Sequence, residues 1–293
     1  MSGSDNRPGG DPGAAHGQAT LLPALALLAG QLSVNLGAAV AKQLFPLIGV
    51  EGMTAYRVGF AALILLAIFR PWRRPPSRRE AVYLAIYGGV TGLMNLLIYR
   101  AFNLIPIGIA VAIEVAGPLT VAVLASHRPR DFAAVLLAVI GLYFLLPLRD
   151  APGQLDPVGV AYAFGAAVCW ATYIVFGKRV SALQSGQGVV AWGMLAASLL
   201  IVPVGVAYAG AALLTPSFML TGLVIAVLSS ALPYSLEMLA LRGLSRRAFG
   251  MLSSTAPAVG AIAGMLVLGE QLNLTQWLAI ASIVAASALT ALR

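Results

Sequence analysis

The stretch GIAVAIEVAGPLT, residues 108–120, sets one acid, Glu114, in an otherwise apolar run and follows it with Gly117 and Pro118. Proline has no backbone N–H, so the carbonyl of residue 114 loses its helical partner and the pyrrolidine ring bends the turn. Gly117 allows a second helix or a ligand to approach closely. A carboxyl and a freed carbonyl then stand at one level of one helix, where they can hold an ammonium group or a proton. The competing reading is a permanent pair between Glu114 and a buried base that only fixes packing.

The rest of the chain decides what solvent surrounds that helix. Of 293 residues, 60% are hydrophobic and 10% charged, and the mean hydropathy is +0.90. Soluble domains carry about 25% charged residues, so this composition belongs to a membrane protein. A spanning helix needs about 20 mostly apolar residues. Ten such runs are legible: 21–43, 52–70, 81–99, 106–126, 132–148, 158–177, 188–209, 218–241, 248–268 and 273–291. The connections are too short for a soluble domain, so any site is built from the helices. The expected fold is all-α, with ten transmembrane helices.

The charge balance, 18 Lys and Arg against 10 Asp and Glu, gives +8. With the N-terminus cytoplasmic, Arg7, Arg70, Arg73, Arg74, Arg78, Arg79, Arg128, Arg130, Lys178, Arg179, Arg242, Arg246, Arg247 and Arg293 fall on the inner side and only Arg100 and Arg149 oppose them. That skew obeys the positive-inside rule and puts both termini in the cytoplasm. The basic residues are dispersed and topogenic, so no nucleic-acid partner is expected; the lipid bilayer is the partner. Residues 1–18, MSGSDNRPGGDPGAAHGQ, are Gly, Pro and polar and read as a disordered cytoplasmic tail. The single Cys169 forms no intrachain disulfide, and His16 and His127 read as solvated surface groups.

The two halves repeat. AGQLSVNLGAAVAKQLF from Ala29 aligns with GAAVCWATYIVFGKRVS from Gly165, superposing Lys42 on Lys178. AIEVAGPLTVAVLA from Ala112 aligns with MLSSTAPAVGAIAG from Met251, superposing Pro118 on Pro257. Five spans per half is an odd number, so the halves enter the membrane in opposite orientations, as in many secondary transporters. The first repeat is expected over 19–150 (helices 1–5) and the second over 151–293 (helices 6–10).

Ionisable groups near a span centre cost about 2.5 to 3.5 kcal/mol each on insertion scales, which singles out Lys42, Arg57, Glu114 and Glu237. Arg57 reaches toward the depth of Glu114, where it can meet that acid or a substrate carboxylate. Lys42 and Arg100 complete a basic rim, with snorkelling to the interface as the alternative and the favoured reading for Arg100. Glu237 follows Pro233 and precedes Arg242, so a cytoplasmic-end salt bridge is favoured over a proton path. Pro257, behind Ser253, Ser254 and Thr255, repeats the helix break without an acid. Gln31, Ser33, Asn35, Asn95 and Tyr99 either line a cavity or bond between helices. Gly260 and Gly264 form a GxxxG pattern assigned to close helix packing.

Over residues 20–292 the chain resembles the drug/metabolite transporter superfamily, in its ten-helix EamA branch with two tandem repeats. AKQLFPLIGVEGMTAYR, GIAVAIEVAGPL with the following RPRDF, LSSALPYSLEMLAL and LGEQLN carry the likeness, and more narrowly they are similar to amino-acid exporters of that branch. The resemblance implies a multi-pass protein of the bacterial inner membrane that exports small amino acids of the threonine or homoserine kind by proton exchange. One departure is that Ala256, not Glu, precedes Pro257, which leaves Glu114 as the principal acid near the midplane.

The expected mechanism is secondary active antiport by alternating access. Glu114 holds a proton or the substrate ammonium in turn; Arg57, with Lys42, attracts the carboxylate; Asn95 and Tyr99 complete the site; and Gly117, Pro118, Pro233 and Pro257 break the helices. The alternative cargo is another metabolite or drug, such as a cysteine-related compound, a nucleoside or a toxic amino-acid analogue. An intramembrane enzyme would need a nucleophile with its base or a metal cluster; neither pattern is present, so no catalytic residue, metal or cofactor is expected. A monomer suffices for this mechanism, and the residues fix no oligomeric state.

Overall fold

The computed structural model describes residues 12–124, 129–145, 155–183, 186–244 and 246–291. Residues 1–11 of the expected tail, His127, Arg128, Arg149, Arg293 and the repeat boundary at 150/151 lie outside the described residues. Among the described residues every regular element is helical.

Helix α1, Pro12–Phe69, is two helices joined at Gly49, whose φ of 73° and ψ of 163° interrupt the helical path. A positive φ with extended ψ is open to glycine and strained for other residues. The chain already turns helical at Pro12, inside the stretch read as tail; proline is at home in a first turn, where its missing N–H has no partner to lose. Helix α2, Arg78–Leu104, begins with a capping box in which Ser77 and Glu80 bond each other's backbone N–H groups.

The fourth apolar run is two helices, α3, Ile107–Glu114, and α4, Ala116–Leu124. The break falls at Val115, directly after the acid, where Pro118 leaves the carbonyl of residue 114 without its donor. Then come α5, Pro129–Leu145, α6, Pro157–Leu183, and α7, Gly186–Ala209. Helix α8, Pro216–Ala226, passes through a wider π turn, Val227–Ala231, into α9, Leu232–Gly243. Helix α10, Arg246–Ser253, breaks before α11, Ala256–Leu268, which carries Pro257 in its first turn, and α12, Leu274–Ala291, closes the bundle.

Among the described residues, five stretches are long and apolar enough to cross a bilayer: Leu21–Phe69, Arg78–Leu104, Pro157–Gly177, Gly188–Leu214 and Met251–Leu268; four shorter apolar helices accompany them. Their outward faces carry exposed Leu199, Leu220, Leu266 and Val168, which only a lipid solvent tolerates at that density. Inside, small residues let backbones touch, as expected where lipid tails remove the hydrophobic drive between helices. A Cβ on Gly117 would collide with the backbone of Ala167, so α4 rests directly on α6. Gly117 thus admits a helix.

Residues 50–69 of α1 pack on α7 through Val58, Ala61, Ala62 and Leu65 against Ala191, Met194 and Ala197. The first half of α1 packs on α9 and the π turn before it, where Gly30 lies against Pro233 and Leu236 and Gly37 against Ser229. Helix α2 packs on α6, α3 on α11, and α5 on α12.

Candidate functional site

The broken helices surround a cavity of about 280 Å³ whose walls include Gln31, Asn35, Arg57, Asn95, Glu114, Trp170, Glu237 and Ser253. The sequence distance between Asn35 and Ser253 shows how this site is assembled from both halves.

Two polar groups of α1 are spent on holding breaks in place. In a π turn the carbonyl of Leu228 would accept from residue 233, but Pro233 has no N–H; the Ser33 hydroxyl donates to that carbonyl instead, at 2.7 Å. Gln31 Nε2 donates to the carbonyl of Leu252 at the α10–α11 break at 3.1 Å, and the hydroxyl of Thr255 lies 3.1 Å from Gln31 Oε1. Between lining a cavity and bonding between helices, Ser33 bonds between helices; Gln31 does both.

Glu114 and Arg57 stand differently. Each is half-buried on the cavity wall, and they form no ion pair with each other or with any other described residue. The guanidinium of Arg57 lies over the ring of Tyr99, 4.9 Å from its centroid, an arrangement that holds a cation without neutralising it. Tyr99 is itself fully buried, tilted against Phe45 and Phe102, with its hydroxyl unpaired among the described residues. An unpaired carboxyl and an unpaired guanidinium facing one cavity are costly unless water or a charged ligand meets them.

Of the expected site residues, the structure brings Glu114, Arg57, Asn95 and Pro233 into the lining of one cavity. Tyr99 lies behind Arg57, away from the cavity. Lys42 lies away from it too: its Nζ is 2.7 Å from Glu270 Oε1 and 3.2 Å from the Ile105 carbonyl. Arg100 is paired: its guanidinium binds Glu51 at 2.6 Å and lies over the ring of Tyr162. Glu237 lines the cavity, whereas the side chain of Arg242 lies outside the described residues. Gly260 and Gly264 make room for the side chains of Asn35 and Glu270 instead of for a helix backbone.

Glu51 and Glu270 went unremarked in the sequence. Their signal was there, since each is the acid of a short connection between two apolar runs. Together the two ion pairs close one end of the bundle, above the Phe45, Tyr99 and Phe102 cluster.

A polytopic helical bundle enclosing a small charged cavity, with one end latched by ion pairs, is the build of a membrane transporter, not of an enzyme. The chain belongs to the EamA-like transporter family, whose pattern matches residues 157–292. It is 48% identical over 276 residues to the threonine/homoserine exporter RhtA of Salmonella typhimurium (strain SL1344), covering 94% of this chain and 93% of that one. The RhtA protein of Escherichia coli (strain K12) is 47% identical over the same length. A solved crystal structure shares the fold at a TM-score of 0.60 and 20% identity, covering 93% of this chain and 96% of that one. The chain is accordingly a multi-pass protein of the bacterial inner membrane.

Proposed function

We propose that the protein exports small amino acids of the threonine and homoserine type by alternating access, exchanging them for protons. The observation that carries this reading is the facing pair of an unpaired acid and an unpaired base, Glu114 and Arg57, on one small cavity. An amino acid is a zwitterion: its ammonium meets the carboxylate and its carboxylate meets the guanidinium, which offers a planar two-point fork. The names of the relatives, threonine/homoserine exporters across nearly their whole length, support the same cargo.

Proton coupling follows from one group serving two ligands. The Glu114 carboxyl can hold the substrate ammonium or a proton but not both, so release of one goes with uptake of the other. A proton crossing 100 mV supplies about 2.3 kcal/mol and a tenfold gradient needs about 1.4 kcal/mol, so one proton per substrate drives export.

Alternating access rests on the two halves acting as inverted repeats, 19–150 and 151–293, within ten spans whose termini are both cytoplasmic. The exchange of partners supports it: the first half of α1 packs on α9 as α6 packs on α2, while α3 meets α11 and α5 meets α12. In this orientation the end latched by Lys42, Glu270, Glu51 and Arg100 faces away from the cytoplasm, and the cavity is the cytoplasm-loading state. No second subunit is needed.

The deciding experiment is a substrate panel in proteoliposomes with an imposed pH gradient: homoserine, threonine, cysteine-related compounds, nucleosides and drugs. Saturable, gradient-driven movement of homoserine and threonine is expected. Movement of nucleosides or drugs without amino acids would overturn the reading.

A further inference from the structure

Asn35 on α1 and Asn95 on α2 are 5% and 8% exposed, and both line the cavity that holds Glu114 and Arg57. The Nδ2 of Asn35 donates to the carbonyl of Gln31 at 2.8 Å, and the Nδ2 of Asn95 donates to the carbonyl of Thr91 at 2.8 Å. A backbone carbonyl can only accept, so these contacts fix which end of each carboxamide is nitrogen. Each Oδ1 is then left without a donor among the described residues, yet neither is sealed in protein. Gly260 makes room for one of them, since a Cβ there would lie 2.9 Å from Asn35 Oδ1.

We propose that Asn35 Oδ1 and Asn95 Oδ1 accept the side-chain hydroxyl of the cargo and so select hydroxyl-bearing amino acids over their apolar isosteres. The proposal rests on the export of amino acids argued above. With the cavity empty, water donates to these oxygens. A hydroxyl that replaces the water keeps the bond, whereas a methyl expels the water and strands a buried acceptor, which is the situation that gives hydrogen-bonding sites their discrimination. Glu114 and Arg57 are matched to the ammonium and carboxylate that every amino acid carries, so they cannot supply this selectivity. Two acceptors on different helices also reach hydroxyls at two positions, on Cβ as in threonine and on Cγ as in homoserine.

The test uses the purified full chain in proteoliposomes and compares transport efficiency for two isosteric pairs, threonine against valine and homoserine against norvaline. Wild type is expected to favour the hydroxyl member by roughly tenfold or more. Asn35→Leu and Asn95→Leu each lower that preference, and the double variant brings it close to one. Where a leucine variant does not assemble, Asn35→Ala and Asn95→Ala replace it and carry the same expectation. An unchanged ratio in transporting variants, or equal handling of both isosteric pairs by wild type, overturns the assignment and leaves amino-acid export standing. Failure of wild type to move any of the four sinks export itself, and this assignment with it.

Discussion

Lys42 Nζ lies 2.7 Å from Oε1 of Glu270, and the other oxygen of that carboxylate accepts the backbone N–H of Ile107 at 3.0 Å. One acid therefore ties the end of the first half of α1, the α2–α3 junction and the connection after α11. Lys42 in turn donates to the carbonyl of Ile105 at 3.2 Å, so the contact is a closed network and stronger than an isolated surface pair.

If this network is the outer gate, joining its two sides covalently must stop turnover. In the double variant Lys42→Cys with Glu270→Cys, oxidation is expected to abolish exchange and reduction to restore it, measured in proteoliposomes. Glu270→Ala is expected to perturb exchange more than Lys42→Ala, because it strands both the ammonium and the Ile107 N–H. Unimpeded exchange by the cross-linked protein would show that this end does not open.

Glu114→Gln keeps the shape of the side chain and removes its proton exchange. Exchange driven by an imposed pH gradient is expected to fall at least about tenfold, equivalent to about 1.4 kcal/mol of coupling, while purified protein elutes and unfolds as wild type does. Full retention of gradient-driven uptake removes Glu114 from the coupling.

Arg57 sits over the Tyr99 ring, 4.9 Å from its centroid. Lysine retains the charge but loses the planar fork and the stacking, so Arg57→Lys is expected to raise KM about tenfold, a loss of about 1.4 kcal/mol. Tyr99→Phe keeps the aromatic platform and is expected to leave KM nearly unchanged; Tyr99→Ala is expected to resemble Arg57→Lys. A Tyr99→Phe variant as impaired as Tyr99→Ala would give the hydroxyl a direct role.

The helix breaks are also open to measurement. Ser33→Ala leaves the Leu228 carbonyl without a donor and is expected to cost about 1–3 kcal/mol, read as a lower thermal midpoint in detergent. Gly117→Ala drives a methyl into the Ala167 backbone, and overpacking of this kind costs about 1–3 kcal/mol. A midpoint unchanged in both would mean that these contacts do not hold the bundle together.

The residue order alone determined the solvent, the helical class and the positions of the breaks. Those properties are local: apolar length, the missing N–H of Pro118, Pro233 and Pro257, and the single acid in GIAVAIEVAGPLT. The sequence also marked Glu114 and Arg57 as misfits in oil, since the cost of burying a charge does not depend on which neighbour is absent. Only the tertiary structure decided who met whom. Lys42 and Glu270 are separated by 228 residues, Gln31 and Leu252 by 221, and nothing in either stretch names the other. Whether a polar side chain faces a cavity or a partner helix depends on rotation about a helix axis, and packing sets that rotation; hence Ser33 was spent on a backbone carbonyl, while Asn35, two residues on, was left with a bare oxygen.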